Sequence, residues 1–379
     1  MRVIHRIALA AASAAASAVV VAGVAAAPMA QAGTQTSFIG GFHTPPTTVA
    51  STVPQNGDVN PYGVAVVKHS QGKLVKGDVL VSNFNNSANQ QGTGTTIVEV
   101  APNGAVTQFA QITVAGLPKG SSCPGGIGLT TALVALRSGF VIVGSLPTTD
   151  GTSATAKAGC LLVLNSQGNV VETFSGHGIN GPWDMTALDA GDAAELFVTN
   201  VLNGTVEHSP KVVHGGTVLR LLLAIPDYGI PQLVNTTKIG SGFAERTDPA
   251  ALVIGPTGVG LGDDGKLYVA DTLSNRITVI NDAVFRDDSA GTGETVSEGG
   301  ALNGPLGLAI APNDDILTVN SGDGNIVETT PGGAQIAVKT LDTSGSPPGA
   351  GALFGLAVAP YGTGVYFVDD ATNTLDLLH

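Results

Sequence analysis

The 379-residue chain is 43% hydrophobic but only 12% charged, and it carries 52 glycines. That balance excludes a disordered chain and disfavours long amphipathic helices; it suits many short strands joined by turns. The net charge of −13 is spread along the chain with no Lys/Arg cluster, which argues against nucleic acid and anionic membrane surfaces as partners and leaves a metal cation or a neutral ligand open.

Residues 1–32 read as an export signal. Arg2 and Arg6 give a short basic start, an Ala/Val-rich stretch runs from Ile7 to Ala27, and Ala30-Gln31-Ala32 supplies a small-residue site that predicts cleavage before Gly33. The alternative is an uncleaved anchor, since the stretch is long enough to span a membrane, but alanine is weakly apolar and small residues suit a signal peptidase. After cleavage no membrane contact is expected. The mature chain, residues 33–379, is then secreted or periplasmic and is expected to be a monomer. Cys123 and Cys160 are the two cysteines, and an oxidising compartment favours a disulfide between them over two buried thiols.

The mature chain is organised by a recurring phrase: a Pro/Gly turn, an apolar strand, a polar turn, a second apolar strand ending in Asp or Asn, and a third strand. Asn60-Pro61-Tyr62-Gly63 leads to Val79–Asn83, and Gly125-Gly126-Ile127-Gly128 leads to Phe140–Val143. Gly181-Pro182-Trp183-Asp184 leads to Leu196–Asn200. The clearest copy is Gly255-Pro256-Thr257-Gly258, then Leu267–Asp271, then Asn275-Arg276-Ile277. Gly304-Pro305-Leu306-Gly307 leads to Ile316–Asn320, and Leu353-Phe354-Gly355 leads to Val365–Asp369. Gly258, Gly307 and Gly355 are 49 and 48 residues apart, the length of one four-stranded blade. Earlier intervals of 65, 56 and 74 residues read as loop insertions.

The predicted fold is therefore all-β: a six-bladed β-propeller of four-stranded antiparallel blades, with seven blades as the alternative count. The last copy stops after three strands, at Leu375–Leu378, so a strand from the N-terminal side must close the ring. Thr36–Ile39 is the predicted donor, because an open edge would otherwise remain.

The phrase resembles an NHL repeat, and the Asp271, Asn275-Arg276-Ile277 portion carries the resemblance most specifically. NHL and related propellers include protein- and carbohydrate-binding modules, metal-dependent lactonases of the SMP-30/gluconolactonase type, and peptide-amidating lyases. The resemblance implies a fold, whereas function has to come from a site. It also implies a top face where the inner strands start and where the second-to-third-strand loops open. Those loops are long in the first three blades, Asn83–Gly94, Ser145–Gly159 and Asn200–Gly216, and a few residues long in the last three. Gluconolactonase-type enzymes place an Asp where this chain has Asp271, but an Asn where it has Thr257.

The expected ligand-binding set is Trp183, Asp184, Arg246, Asp248, Asn83 and Asn200, rimming one top-face pocket. Trp183 is the sole tryptophan and could stack a flat ligand; the alternative is a core position between blades. Arg246 and Asp248 sit in Glu245-Arg246-Thr247-Asp248, a charged run in a chain poor in charge, which could clamp a ligand or form a local salt-bridged turn. Asp271, Asn320 and Asp369 are candidate ligands for Ca²⁺ or another divalent cation, although Asp and Asn at strand ends commonly hold turns. Histidine spacing offers no zinc motif, and no G-x-S-x-G elbow, phosphate loop or dinucleotide fingerprint appears in a suitable context. Two functions follow: a binding or scaffold module for a carbohydrate, peptide or protein, or a metal-dependent hydrolase or lyase.

Overall fold

Each recurring Pro/Gly turn opens an inner strand, and in every blade that strand carries a bulge within its first few residues. The register slips between Pro61 and Gly63, Leu129 and Leu133, Pro182 and Met185, Pro256 and Val259, Pro305 and Leu308, and Leu353 and Leu356. A bulge re-aims a side chain. The computed structural model describes residues 36–379, and Ser37–His379 form one unit. The predicted export signal and its cleavage site lie outside the described residues.

The strands group into six antiparallel sheets. Blade 1 holds Val59–Val66, Val79–Asn85, Thr96–Val100 and Val106–Gln111; blade 2 holds Leu129–Ala135, Val141–Ser145, Cys160–Leu164 and Val170–Phe174. Blade 3 holds Gly181–Asp189, Ala193–Val201, Val213–Ala224 and the long Gln232–Asp248, extended by a fifth strand, Leu252–Ile254. Blade 4 holds Pro256–Leu261, Leu267–Asp271, Arg276–Ile280 and Glu294–Glu298; blade 5 holds Pro305–Ile310, Ile316–Asn320, Asn325–Thr329 and Gln335–Thr340. Blade 6 holds Leu353–Val358, Val365–Asp369 and Thr374–Leu378. Each inner strand packs against the inner strands of both neighbouring blades, which closes the ring.

The six-bladed count stands, and an N-terminal strand closes the last blade. It is Thr47–Ser51, paired Thr47 with Leu377 and Ser51 with Thr374, rather than the predicted Thr36–Ile39. The correction has a local cause. Ser37 Oγ and the backbone N–H groups of Phe38 and Ile39 all donate to the Glu328 carboxylate, at 2.6, 2.6 and 2.8 Å. Ile39 then enters a short 3₁₀ turn and is fully buried between blades 5 and 6. The earlier segment is an anchor, and the β-branched run that follows is the strand.

Apolar side chains fill the seams between blades. Leu80, Ile97, Val143 and Leu162 lie between blades 1 and 2; Phe197, Val218, Val259 and Val269 lie between blades 3 and 4. Glycine sets how close the inner strands come. A Cβ on Gly307 would sit 2.0 Å from Phe354 O, and one on Gly355 would sit 2.2 Å from Tyr62 O. Any larger residue there would push neighbouring blades apart.

The predicted disulfide is present. Cys123 and Cys160 are bonded, with Cα atoms 5.2 Å apart. The bond ties the connection into blade 2 to the first residue of its third strand, at the base of the 146–159 loop. It spans 37 residues, so chain-entropy reasoning predicts that Cys123→Ala with Cys160→Ala costs roughly 3–4 kcal/mol. Urea denaturation of the non-reduced protein and the double variant measures this; equal midpoints would refute it. Among the described residues no helix is long and apolar enough to cross a membrane.

Candidate functional site

The top of the channel is closed from within. The bulged inner-strand positions place Tyr62, Trp183, Leu306 and Phe354 in one apolar cluster, joined by Phe84. Tyr62 stacks on Phe354 at 3.9 Å and on Phe84 at 4.5 Å, and Trp183 lies parallel to Phe354 at 6.4 Å. Stacked rings at these distances gain about 0.5–1.5 kcal/mol per pair beyond area burial. The fifth strand of blade 3 lies over them, because Leu252, Val253 and Ile254 join the same cluster and Trp183 Nε1 donates to Val253 O at 3.2 Å.

Trp183 is therefore a buried plug residue. Arg246 and Asp248 belong to the hairpin above it, paired with Ile254 and Leu252. Arg246 Nη2 and Asp248 Oδ2 are 2.9 Å apart, and Asp248 Oδ1 accepts the N–H groups of Ala250 and Ala251, which forms the hairpin turn. Their neighbour Glu245 is buried beneath the loop, where Oε1 accepts the Asn203 N–H at 2.9 Å and burial pushes its pKa up to about 7. Trp183, Arg246 and Asp248 thus share one end of the disc, with the tryptophan below and the ion pair above.

Asn83 and Asn200 stand further out and hold chain connections. Asn83 Nδ2 donates to Thr52 O, and Asn200 accepts from the N–H groups of Asn180 and Gly181 while donating to Gly178 O. Asp271, Asn320 and Asp369 are one per blade in blades 4, 5 and 6. Asp271 is ion-paired with Arg276 at 2.8 Å. Asn320 donates to Ala301 O and Asp323. Asp369 accepts the Thr372 N–H, and burial with Asp342 nearby pushes its pKa up to about 6. Each side chain serves its own blade. Among the described residues no group of three or more His, Cys, Asp or Glu side chains gathers as a metal would require.

The long loops of blades 1 to 3 are tied to one another. Thr148 N donates to Gly92 O and Thr148 Oγ1 to Gln91 O, linking the 86–95 loop to the 146–159 loop. Gln91 Nε2 reaches Pro249 O in the hairpin turn at 2.8 Å, and Ser209 Oγ meets Thr247 Oγ1 at 2.7 Å. The result is one continuous canopy over the plug.

Asp184 faces the other way. It occupies the position that is glycine in blades 1, 4, 5 and 6, and its carboxylate turns into the channel below the plug. Oδ1 accepts the Met185 N–H at 2.8 Å, and Oδ2 accepts the Val259 N–H of blade 4 at 3.1 Å. Burial, opposed by those two donors, pushes its pKa up to about 7. The channel beneath is a cavity of about 310 Å³ with walls such as Val64, Leu133, Met185, Leu308 and Leu356. Inner-strand residues are buried near Asp184 and only half-buried near Val66, Leu261, Ile310 and Val358, so the cavity opens at the bottom face. Lys68 and Asp189 stand at that mouth. Sequence reasoning missed the cavity because its walls are ordinary strand residues; the signal was an acid at a glycine position.

No family model and no curated protein matches the chain. Among solved structures, it is similar to regucalcin from Agrobacterium tumefaciens, described as calcium-binding, with a TM-score of 0.52, 12% identity, and coverage of 88% of this chain and 94% of that one. A gluconolactonase from Xanthomonas campestris gives 0.51 at 12% identity, covering 88% and 94%. The PQQ-bound aldose sugar dehydrogenase of Streptomyces coelicolor gives 0.51 at 15%, covering 88% and 96%. At these identities the likeness is one of fold.

Proposed function

We propose that the protein is an exported binding module of NHL type that presents its blade 1–3 canopy to a peptide or protein. The observation that carries this is the set of bonds linking Gln91, Gly92, Thr148 and Pro249 across separate loops. Loops fixed before binding lose little conformational freedom when a partner arrives, which favours affinity. The canopy is rich in Asn, Gln, Ser and Thr, residues that adapt their hydrogen bonds to a polypeptide. A carbohydrate is the weaker choice, because Trp183 lies inside the plug and offers no stacking face.

The test is selection of a displayed peptide library on the mature protein. Enriched peptides should lose binding when residues 86–93 are replaced by a turn as short as those of blades 4–6. They should keep it when the bottom loop of blade 3, residues 226–231, is altered. Binding that survives the canopy change overturns the reading.

The second reading is a metal-dependent hydrolase or lyase, favoured by the fold likeness to a gluconolactonase and to calcium-binding regucalcin. Calorimetric titration of the metal-stripped protein with Ca²⁺ separates the two. One tightly bound Ca²⁺ per chain favours the enzyme, and no heat favours the binding module.

A further inference from the structure

From the cavity geometry we infer that the central channel is a second binding site, entered from the bottom face, for a small alkylammonium whose cationic head seats on Asp184. Four observations converge on it.

The cavity is blind. Tyr62, Phe354 and Trp183 close its upper end, and the Leu252–Ile254 strand seals them from the canopy. A ligand would therefore enter from the bottom face, where Lys68 and Asp189 stand. From Asp184 to Asp189 the inner strand runs five residues, on the order of 16 Å. A linear chain of eight or so carbons fits that depth.

The walls mix aliphatic side chains with polar groups, Thr131 and Thr186 among them, and the one ionisable group directly below the plug is Asp184. A concave pocket of this size with a few polar groups at fixed places is how small-molecule sites are built. Asp184 is 8% exposed, and that residue of exposure faces the cavity it lines. Met185 N–H and Val259 N–H hold its two oxygens in place. Each carboxylate oxygen has lone pairs left over for a donor from below.

The acid links blade 3 to blade 4 through the Val259 N–H, but the matching position in four other blades does without a side chain. Gly63, Gly258, Gly307 and Gly355 occupy the matching positions and serve the ring without a side chain. A carboxylate beneath an aromatic lid carries a desolvation cost that an ammonium partner would relieve. Burial already holds the proton on Asp184 near neutrality, up to about 7. The chain's net charge of −13 favours cation entry. Lys68 at the mouth opposes it locally, and Asp189 beside it offsets that charge.

The site shares no residue with the canopy, so it stands or falls independently of the peptide-binding reading. The test uses n-octylammonium, titrated calorimetrically into the mature protein at pH 8, with n-octanoate as the opposite-charge probe. Expected is one site, with affinity rising from butyl to octyl as methylenes meet the aliphatic part of the walls. Affinity should weaken as pH falls through 7 and Asp184 takes up a proton, while the alkylammonium stays charged. Asp184→Asn should weaken binding by on the order of 30-fold. Ala309 borders both the cavity and the blade 5–6 seam, so Ala309→Phe leaves the acid intact, adds bulk beside the lumen and should weaken binding at least tenfold, which decides the matter if Asp184→Asn fails to fold. No octylammonium binding to the wild type, unchanged binding in Ala309→Phe, or preference for octanoate each overturns the proposal.

Discussion

Removal of residues 33–51 is expected to cost the ring most or all of its stability. Blade 6 would lose its outer strand, and Thr374–Leu378 would become an unpaired edge. Val49 and Ala50 pack on the blade 6–1 seam, so the loss reaches the cluster that also contains the channel plug. Folded domains hold only about 5–15 kcal/mol in total, and the loss of one strand of a closing blade is comparable with that. The exposed edge should also promote association. A shorter deletion, residues 33–46, separates anchor from strand. It leaves Thr47–Ser51 in place but strips Glu328 of three donors. Asn313 Nδ2 would still donate to it, but a buried carboxylate short of donors costs about 1–3 kcal/mol. Thermal unfolding of the three proteins should rank them wild type, 33–46 deletion, 33–51 deletion. A 33–51 deletion that melts with the wild type would show that the ring closes elsewhere.

The second large effect is a loss of stability with rising pH. Asp184, Glu245 and Asp370 have pKa values pushed up to about 7 and Asp369 to about 6, in each case mainly by burial; Asp369 also raises Asp370. Asp315 is raised to about 7 by burial and by Glu328, which is itself lowered by its Ser37, Phe38 and Ile39 donors. Free carboxyls titrate near 4, so between about pH 4 and 7 the native state holds protons that the unfolded chain has released. Stability falls with pH wherever the native state binds more protons. The contribution of these groups is therefore complete below pH 4 and lost as pH rises through 6 to 7. The lowered groups Glu328, Asp150 and Asp264 act in the opposite sense, but Asp150 and Asp264 are exposed turn residues. The expected result is a higher melting temperature at pH 5 than at pH 8, with most of the change below pH 7.5. Glu245→Gln should shrink that difference. A melting temperature that rises from pH 5 to pH 8 would contradict the assignment of these buried acids.

The fold was legible because the blades repeat one physical requirement: an inner strand bulged just after a Pro or Leu, which in blades 1, 4, 5 and 6 nests on its neighbour through glycine. Those letters recur at Pro61, Pro256, Pro305 and Leu353, so blade number and loop lengths could be counted. The disulfide was legible too, since two cysteines leave one pairing. The closing strand was displaced by some ten residues because Thr36–Ile39 and Thr47–Ser51 are both short and β-branched or apolar. What separates them is Glu328, nearly 290 residues away, and no local pattern announces a long-range anchor.

The sites were harder to read for a different reason. Trp183 and Asp184 were singled out as replacing a Tyr-Gly pair, but adjacent residues on a bulged strand point to different places. Trp183 turned into the plug and Asp184 into the channel. Arg246 and Asp248 bond each other, and Asn83, Asn200 and Asn320 hold backbone connections, as strand-end amides commonly do. Polar residues in a sequence advertise hydrogen bonding; they do not say whether the partner is a ligand or the chain itself.

The pairing of Thr47–Ser51 with Thr374–Leu378 also fixes an order of events. A chain made and moved from its N-terminus delivers the closing strand hundreds of residues before its partner. Until the last blade arrives, that strand has no edge to join, and the five complete blades must stay associated through neighbour contacts alone. Such distant pairings fold slowly, because loop closure comes before its reward. The strand made before all six inner strands is thus the one that completes the circle, and closure waits on the blade made last.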